Sequence, residues 1–304
     1  MADNTIIFLW ILLIVVIVLI VKLLLYPLGY FGSMDYTQIV SREMKIPVGD
    51  IDIHARLFLP KYILDETNMP IKKIPLIFFN PGWGMEIDSA MFRQWAVPLA
   101  LAGPYAVLGY DFRGLGKTPG KLLMKPIILE DIPKIIDFGL KLPAIDSNRV
   151  GFIGVSFGAV VALTKAYPDP RIKAIASVVG LSNVFENFKR KPKNIKERVM
   201  LKGLHISGVK VELLSEEDNK IMSPMYVMDP NRADLNERVF LMNCKTDECI
   251  AFDELAKNQH ILNLPKERVL VTEKGGHIGL HQELILLSRI TQFFNSKLYR
   301  HSDD

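Results

Sequence analysis

Sixteen consecutive apolar residues, Ile6 to Val21, open the hydrophobic pattern, and after Lys22 the run resumes as Leu23-Leu24-Leu25-Tyr26 before Pro27 stops it. From Ile6 to Tyr26 a helix rising about 1.5 Å per residue is roughly 31 Å long, enough to cross a hydrocarbon core of about 30 Å. Lys22 lies near one end, where its stem can snorkel to headgroups, and Trp10, Tyr26 and Tyr30 fall where interfacial aromatics are expected. The leading Met-Ala-Asp-Asn carries no basic residue and the run ends without a small-x-small cleavage site, so an uncleaved anchor is expected rather than a signal peptide. Residues 1–32 are thus expected to form a single-pass transmembrane segment with its flanks. Lys22, Arg42 and Lys45 on its C-terminal side put the remainder, residues 33–304, in the cytoplasm by the positive-inside rule.

From Thr37 onward the pattern changes to short β-rich runs alternating with amphipathic stretches. Strands are expected at Thr37–Ile46, Ile51–Leu59, Ile74–Asn80, Tyr105–Tyr110, Arg149–Val155, Ile172–Val179, Arg238–Asn243 and Arg268–Thr272. Gly49-Asp50 reads as a hairpin turn between the first two. Later strands are nearly all apolar, as in a parallel sheet covered on both faces. Helices are expected near Ser89–Ala102, Ile128–Lys141, Phe157–Ala166, Phe252–Gln259 and Leu280–Lys297. This alternation predicts a doubly wound α/β domain with a mostly parallel eight-stranded sheet. The stretch from about 181 to 235 breaks it and is expected to form a small cap. Between Glu186 and Arg198 it holds six basic and two acidic residues, read as a solvated helix face or as a contact with anionic lipid.

Composition narrows the function classes. With 49% apolar and 23% charged residues the chain is not disordered. A net charge of +4 from 37 basic and 33 acidic residues is too balanced to imply a nucleic-acid partner. Cys244 and Cys249 are too few for a disulfide scaffold and lack metal-site spacing.

Gly154-Val155-Ser156-Phe157-Gly158 is a G-x-S-x-G sequence between an apolar strand and a helix. That setting forces a sharp turn which exposes the Ser156 hydroxyl at the carboxyl end of the sheet, near a helix N-terminus. A Cβ at either glycine would crowd the neighbouring strand and helix. A serine nucleophile needs a base. Of the six histidines, His54 is mid-strand, His301 is in the tail, and His205 and His260 sit in polar contexts. His277 follows the last strand on a Gly275-Gly276 loop that lets the backbone bend towards Ser156. His281 lies four residues on, but no further ligand cluster accompanies the pair, so it reads as a surface helix residue rather than a metal ligand. The base needs an acid, and Asp247, after the strand ending at Asn243, is the candidate, with Glu248 the competing carboxylate. The order Ser156, Asp247, His277 is that of the α/β-hydrolase arrangement. Oxyanion donors are expected from the backbone amides of Phe157 and of Trp83, in the glycine-flanked loop Asn80–Gly84.

Taken together these segments resemble the α/β-hydrolase fold, most closely its dienelactone-hydrolase-like and serine-aminopeptidase-like branch. The similarity runs from about Thr37 to Lys297 and includes Asp111, Arg113, Gly114 and Gly116 as a D-x-R-G-x-G segment, usually structural in that family. One departure is Pro81, where the family commonly has histidine before the glycine; the Trp83 donor survives it. The resemblance implies a serine hydrolase acting on an ester, thioester or amide through an acyl-enzyme; the apolar run makes it membrane-anchored with a small-molecule or lipid-like substrate, and the backbone oxyanion donors call for no cofactor. A peptidase or acyltransferase with the same triad, and a non-catalytic membrane-tethered binding protein, are the alternatives. Substrate identity and oligomeric state are not read from the sequence.

Overall fold

The structure, a computed structural model, describes residues 36–143, 145–277 and 283–299. The chain divides into two units, Met1–Gln38 and Ile39–Asp304. In the first, the described residues form one turn of 3-10 helix, Tyr36–Gln38. The expected span at 6–26 lies outside the described residues, as do His281 and His301. Among the described residues no helix is long and apolar enough to cross a membrane.

The second unit is built on eight strands: β1 (Ile39–Pro47), β2 (Asp52–Pro60), β3 (Ile74–Asn80), β4 (Ala106–Tyr110), β5 (Ile145–Val155), β6 (Ala174–Val178), β7 (Val239–Cys244) and β8 (Val269–Thr272). Their order in the sheet is β1-β2-β4-β3-β5-β6-β7-β8. Strand β2 is antiparallel to β1 and β4, and all later pairings are parallel. All eight strands fall where the sequence pattern puts them. The largest shift is at β5, which starts four residues early because Ile145 pairs with Ile74 before a register break leads into Leu76 against Val150. Gly49 and Asp50 do form the hairpin tip: Val48 N–H donates to Ile51 O at 3.0 Å, and Gly49 takes φ +117°, a conformation open to glycine.

The centre of the sheet is covered on both sides, which is why alternation disappears there: every residue of β3 is buried. Against it packs the helix Ala90–Ala102, started by Ser89, whose hydroxyl accepts the Phe92 amide. Phe92 stacks on Phe79 at 4.6 Å between centroids, with Trp95 alongside. The expected helix Ile128–Lys141 is instead a turn, Ile127–Glu130, followed by a helix, Ile132–Leu140. Pro133 has no N–H to return to Leu129, so the ladder breaks between them. After Ser156 the expected single helix is α-helical over Phe157–Val161 and widens to a π segment over Ala162–Ala166, where Tyr167 N–H reaches Ala162 O.

Between β6 and β7 the chain makes a helical insertion. Its main helices are Val184–Lys189, Ile195–Ile206 and Glu216–Met222, capped by Asn183, Asn194 and Ser215 respectively. On the other side of the sheet centre, the loop after β4 is fixed by its D-x-R-G-x-G residues. Asp111 accepts the Ile87 amide at 2.8 Å and faces His54 Nδ1 at 2.8 Å. A Cβ on Gly116 would come within 2.3 Å of that carboxylate. Arg113 forks between Asp131 and Asp50, the latter at the hairpin tip. Its guanidinium pKa is raised, first by hydrogen bonding to Asp50 and then to Asp131. These contacts give the segment the structural role its family resemblance implied.

Candidate active site

Strand β5 runs straight into Ser156, whose backbone sits at φ 57°, ψ −115°, a region side-chain-bearing residues rarely occupy. The strain is held by neighbours. Ser156 N–H donates to Val178 O on β6 at 2.9 Å, and the two flanking glycines allow close backbone approach. A Cβ on Gly154 would lie 2.0 Å from Gly158 O, and one on Gly158 would lie 2.2 Å from Asn80 O. Chain and helix therefore meet β3 with no room for side chains, and the Ser156 hydroxyl is turned outward.

The loop after β7 supplies a carboxylate. Asp247 accepts the Cys249 and Ile250 amides through Oδ1 at 2.7 and 2.8 Å, which fixes its orientation in a buried position. The loop after β8 supplies the ring. Gly275 and Gly276 take φ +136° and +66°, and this left-handed bend returns the chain to the sheet edge. His277 Nδ1 lies 2.8 Å from Asp247 Oδ2, and Nε2 lies 2.8 Å from Ser156 Oγ. With Nδ1 protonated the ring donates to Asp247, leaving Nε2 to accept from the Ser156 hydroxyl. Residues 121 positions apart are thus hydrogen-bonded. Burial disfavours a charged His277 ring, but the adjacent Asp247 carboxylate outweighs it, and the pKa is raised above its ordinary value of 6.5.

Glu248 does not reach the ring. Its Oε2 accepts the His277 backbone N–H at 3.0 Å, while Thr246 Oγ1 accepts that of Gly276 at 3.2 Å. The three consecutive residues Thr246, Asp247 and Glu248 therefore hold the histidine loop by main chain and side chain together. Sequence spacing gave no sign of this, because the acceptors meet backbone groups.

Gly82 brings the Asn80–Gly84 loop against the nucleophile: a Cβ there would lie 3.3 Å from Ser156 Cβ. The Trp83 ring packs edge-on against Phe157 at 5.1 Å and donates from Nε1 to Ser207 O at 3.1 Å. A cavity of about 270 Å³ opens beside Ser156 and His277. Its walls include Met85, Met91, Trp95, Met200, Leu204 and Cys249. Met91 and Trp95, and Met200 and Leu204, are each one helical turn apart, a spacing visible in sequence but not assignable to this cavity without the fold. Asp247, Cys249 and His277 also present ligand-type atoms within 4.8 Å of one another. Both ring nitrogens of His277 are already engaged, Nδ1 by Asp247 and Nε2 by Ser156, which suits proton transfer between Ser156 Oγ and Nε2.

Of the other histidines, His54 is buried in β2 against Asp111, His205 is exposed beside Glu212 at 3.6 Å, and His260 lies in the helix Asp253–Ile261. None of these is among the residues around Ser156.

The family model of X-Pro dipeptidyl-peptidase (S15 family) matches residues 49–220. Among curated relatives, the uncharacterized protein YcjY of Escherichia coli is 33% identical over 135 residues, 43% of this chain and 42% of that protein. The polyketide transferase af380 of Aspergillus fumigatus is 34% identical over 129 residues, 40% of this chain and 41% of that protein. The chain thus spans about two fifths of the length of these relatives. Among solved structures, the Pyrococcus furiosus esterase Pf2001 superposes with a TM-score of 0.58 at 17% identity, covering 86% of this chain and 94% of that one. At that identity the likeness shows a shared α/β-hydrolase fold.

Proposed function

Because the chain belongs to the X-Pro dipeptidyl-peptidase (S15) family and is a serine hydrolase of the α/β-hydrolase fold, we propose that Ser156, His277 and Asp247 form its catalytic triad and work through an acyl-enzyme. The observation that carries this reading is the unbroken run of 2.8 Å contacts from Ser156 Oγ through the His277 ring to Asp247 Oδ2. As Ser156 Oγ bonds to the acyl carbon, its proton passes to His277 Nε2. Asp247 holds the ring in the tautomer that can receive it and stabilises the imidazolium. The amides of Trp83 and Phe157 take the developing oxyanion, and neither enters a hydrogen bond among the described residues. His277 then protonates the leaving group, and water, deprotonated by the same ring, releases the acid. Each donor of such a pair is typically worth about 10²–10³ in kcat.

The bond cleaved is an ester, thioester or amide. The apolar cavity wall favours an uncharged substrate group beside Ser156, and an acceptor alcohol replacing water would make the same machinery an acyltransferase. The apolar run Ile6–Tyr26 serves as a single-pass anchor with the catalytic part on the cytoplasmic side; alkaline carbonate should leave the chain in the membrane pellet. For the catalytic reading, turnover of a soluble nitrophenyl ester by wild type and Ser156→Ala is the test. A loss of at least about a thousandfold is expected. Equal turnover by the two proteins would refute it.

A further inference from the structure

The helix Ile195–Ile206 carries two unlike faces. Met200 and Leu204 line the cavity beside Ser156, and Glu197 on the same side is buried, accepting the Lys193 amide at 2.9 Å. On the opposite side Ile195, Val199 and Ile206 are 67%, 65% and 74% exposed. At 3.6 residues per turn these three fall within about 40° of one another around the axis. Exposed Lys202 and Arg198 flank the stripe on one edge and exposed Lys196 on the other. Lys189, Lys191 and Lys193, in the segment leading to the helix, are exposed as well. The helix's single acidic residue is the buried Glu197. A solvated helix gains nothing from three β-branched side chains in water. A bilayer interface accommodates such a stripe, with apolar groups at the acyl boundary and basic stems snorkelling to lipid phosphates.

We propose that the outward face of the helix Ile195–Ile206 docks on an anionic bilayer surface. The exposed charges that the helix itself carries beside the stripe are all basic, with Glu212 next to His205 at its C-terminal end the acidic neighbour, and this basic excess matches an anionic leaflet. The apolar stripe is three side chains wide, far short of the roughly 800 Å² per partner that a stable protein interface buries. The same helix walls the cavity with its inner face. At its C-cap, Ser207, the carbonyl holds the Trp83 indole, so the helix and the loop proposed to bind the oxyanion are tied together. Docking here sets the cavity beside the headgroup layer, where an acyl lipid would be met. The surface does not depend on the triad, so the Ser156→Ala protein docks like wild type.

The test places an environment-sensitive fluorophore at Val199→Cys in the full chain, where the native Cys244 and Cys249 are buried. Glu66→Cys, exposed in the β2–β3 connection, is the reference site. The proteins are reconstituted into vesicles of phosphatidylcholine, with or without phosphatidylserine, containing nitroxide-labelled lipid. Quenching is expected at position 199 and not at 66, and several-fold more of it with phosphatidylserine present. Each basic residue near such a surface contributes roughly fivefold to binding. Lys196→Gln/Arg198→Gln/Lys202→Gln should therefore weaken docking about a hundredfold, and the triple glutamate variant, which reverses the charges, should weaken it further. No quenching at 199, equal quenching at 66, or equal quenching without phosphatidylserine would overturn the proposal. So would a fluorescence change at 199 that tracks protein concentration and ignores the lipid, which would mark a second copy as the occupant.

Discussion

At Ser156 the backbone sits at φ 57° with its N–H donated to Val178 O, and the hydroxyl it presents lies 2.8 Å from His277 Nε2, the base in the proposed triad. The raised pKa of that ring carries a sign. A base must be neutral, so activity falls as pH drops through the His277 pKa and rises above it. Asp247→Asn removes the charge that favours imidazolium. The acidic limb of kcat/KM should then move to lower pH, while kcat itself falls by roughly 10⁴ because the ring loses its tautomer. A pH–rate profile of wild type and variant checks both, and a limb that stays in place would disprove the Asp247 assignment. The three residues of the proposed triad stood out as candidates in sequence because each has a local signature: glycines around the serine, a double glycine before the histidine, a carboxylate just beyond a strand. The choice of Asp247 over Glu248 was not fixed by sequence alone. Asp247 is the proposed acid because it lies 2.8 Å from His277 Nδ1 and is held by the Cys249 and Ile250 amides, whereas Glu248 accepts the His277 backbone amide.

At the scale of elements, the turn from β5 into the helix Phe157–Val161 depends on two missing side chains. Gly158→Ala sets a Cβ 2.2 Å from Asn80 O, and Gly154→Ala sets one 2.0 Å from Gly158 O. Both obstacles are backbone, so β3 or the helix has to shift. Each variant should lose about 1–3 kcal/mol of stability and most of its activity, as read by chemical denaturation and ester turnover. Unchanged stability and activity in both would contradict the packing described here. The strands were legible because apolar runs bounded by glycine, proline and turn residues have few other solutions. Two helix details were not. The break before Ile132 depends on where Pro133 falls in the ladder, and the π segment on which carbonyl Tyr167 N–H selects.

Across the whole globular unit, Arg113 ties the loop after β4 to Asp131 and to the hairpin tip at Asp50. Arg113→Ala leaves Asp131, 3% exposed, without its counter-ion and should cost about 3–5 kcal/mol, seen as a lowered Tm, while Ser156 and His277 keep their contact at low temperature. A Tm within a degree or so of wild type would show that the clamp is dispensable. Architecture at this scale could be inferred from the alternation of strands and helices. The cavity could not, because its walls come from the Asn80–Gly84 loop, the helix Ala90–Ala102, the helix Ile195–Ile206 and the loop after β7, which only the folded sheet brings together. The central claim is that the same folding makes Ser156 a nucleophile. Its most direct test is the mass of the full-length protein after exposure to a fluorophosphonate, with peptide mapping of the adduct. One adduct on Ser156 is expected in wild type, none in Ser156→Ala, and greatly slowed formation in His277→Ala. A folded wild type that takes no label, or a Ser156→Ala protein labelled at the same rate, would contradict the account.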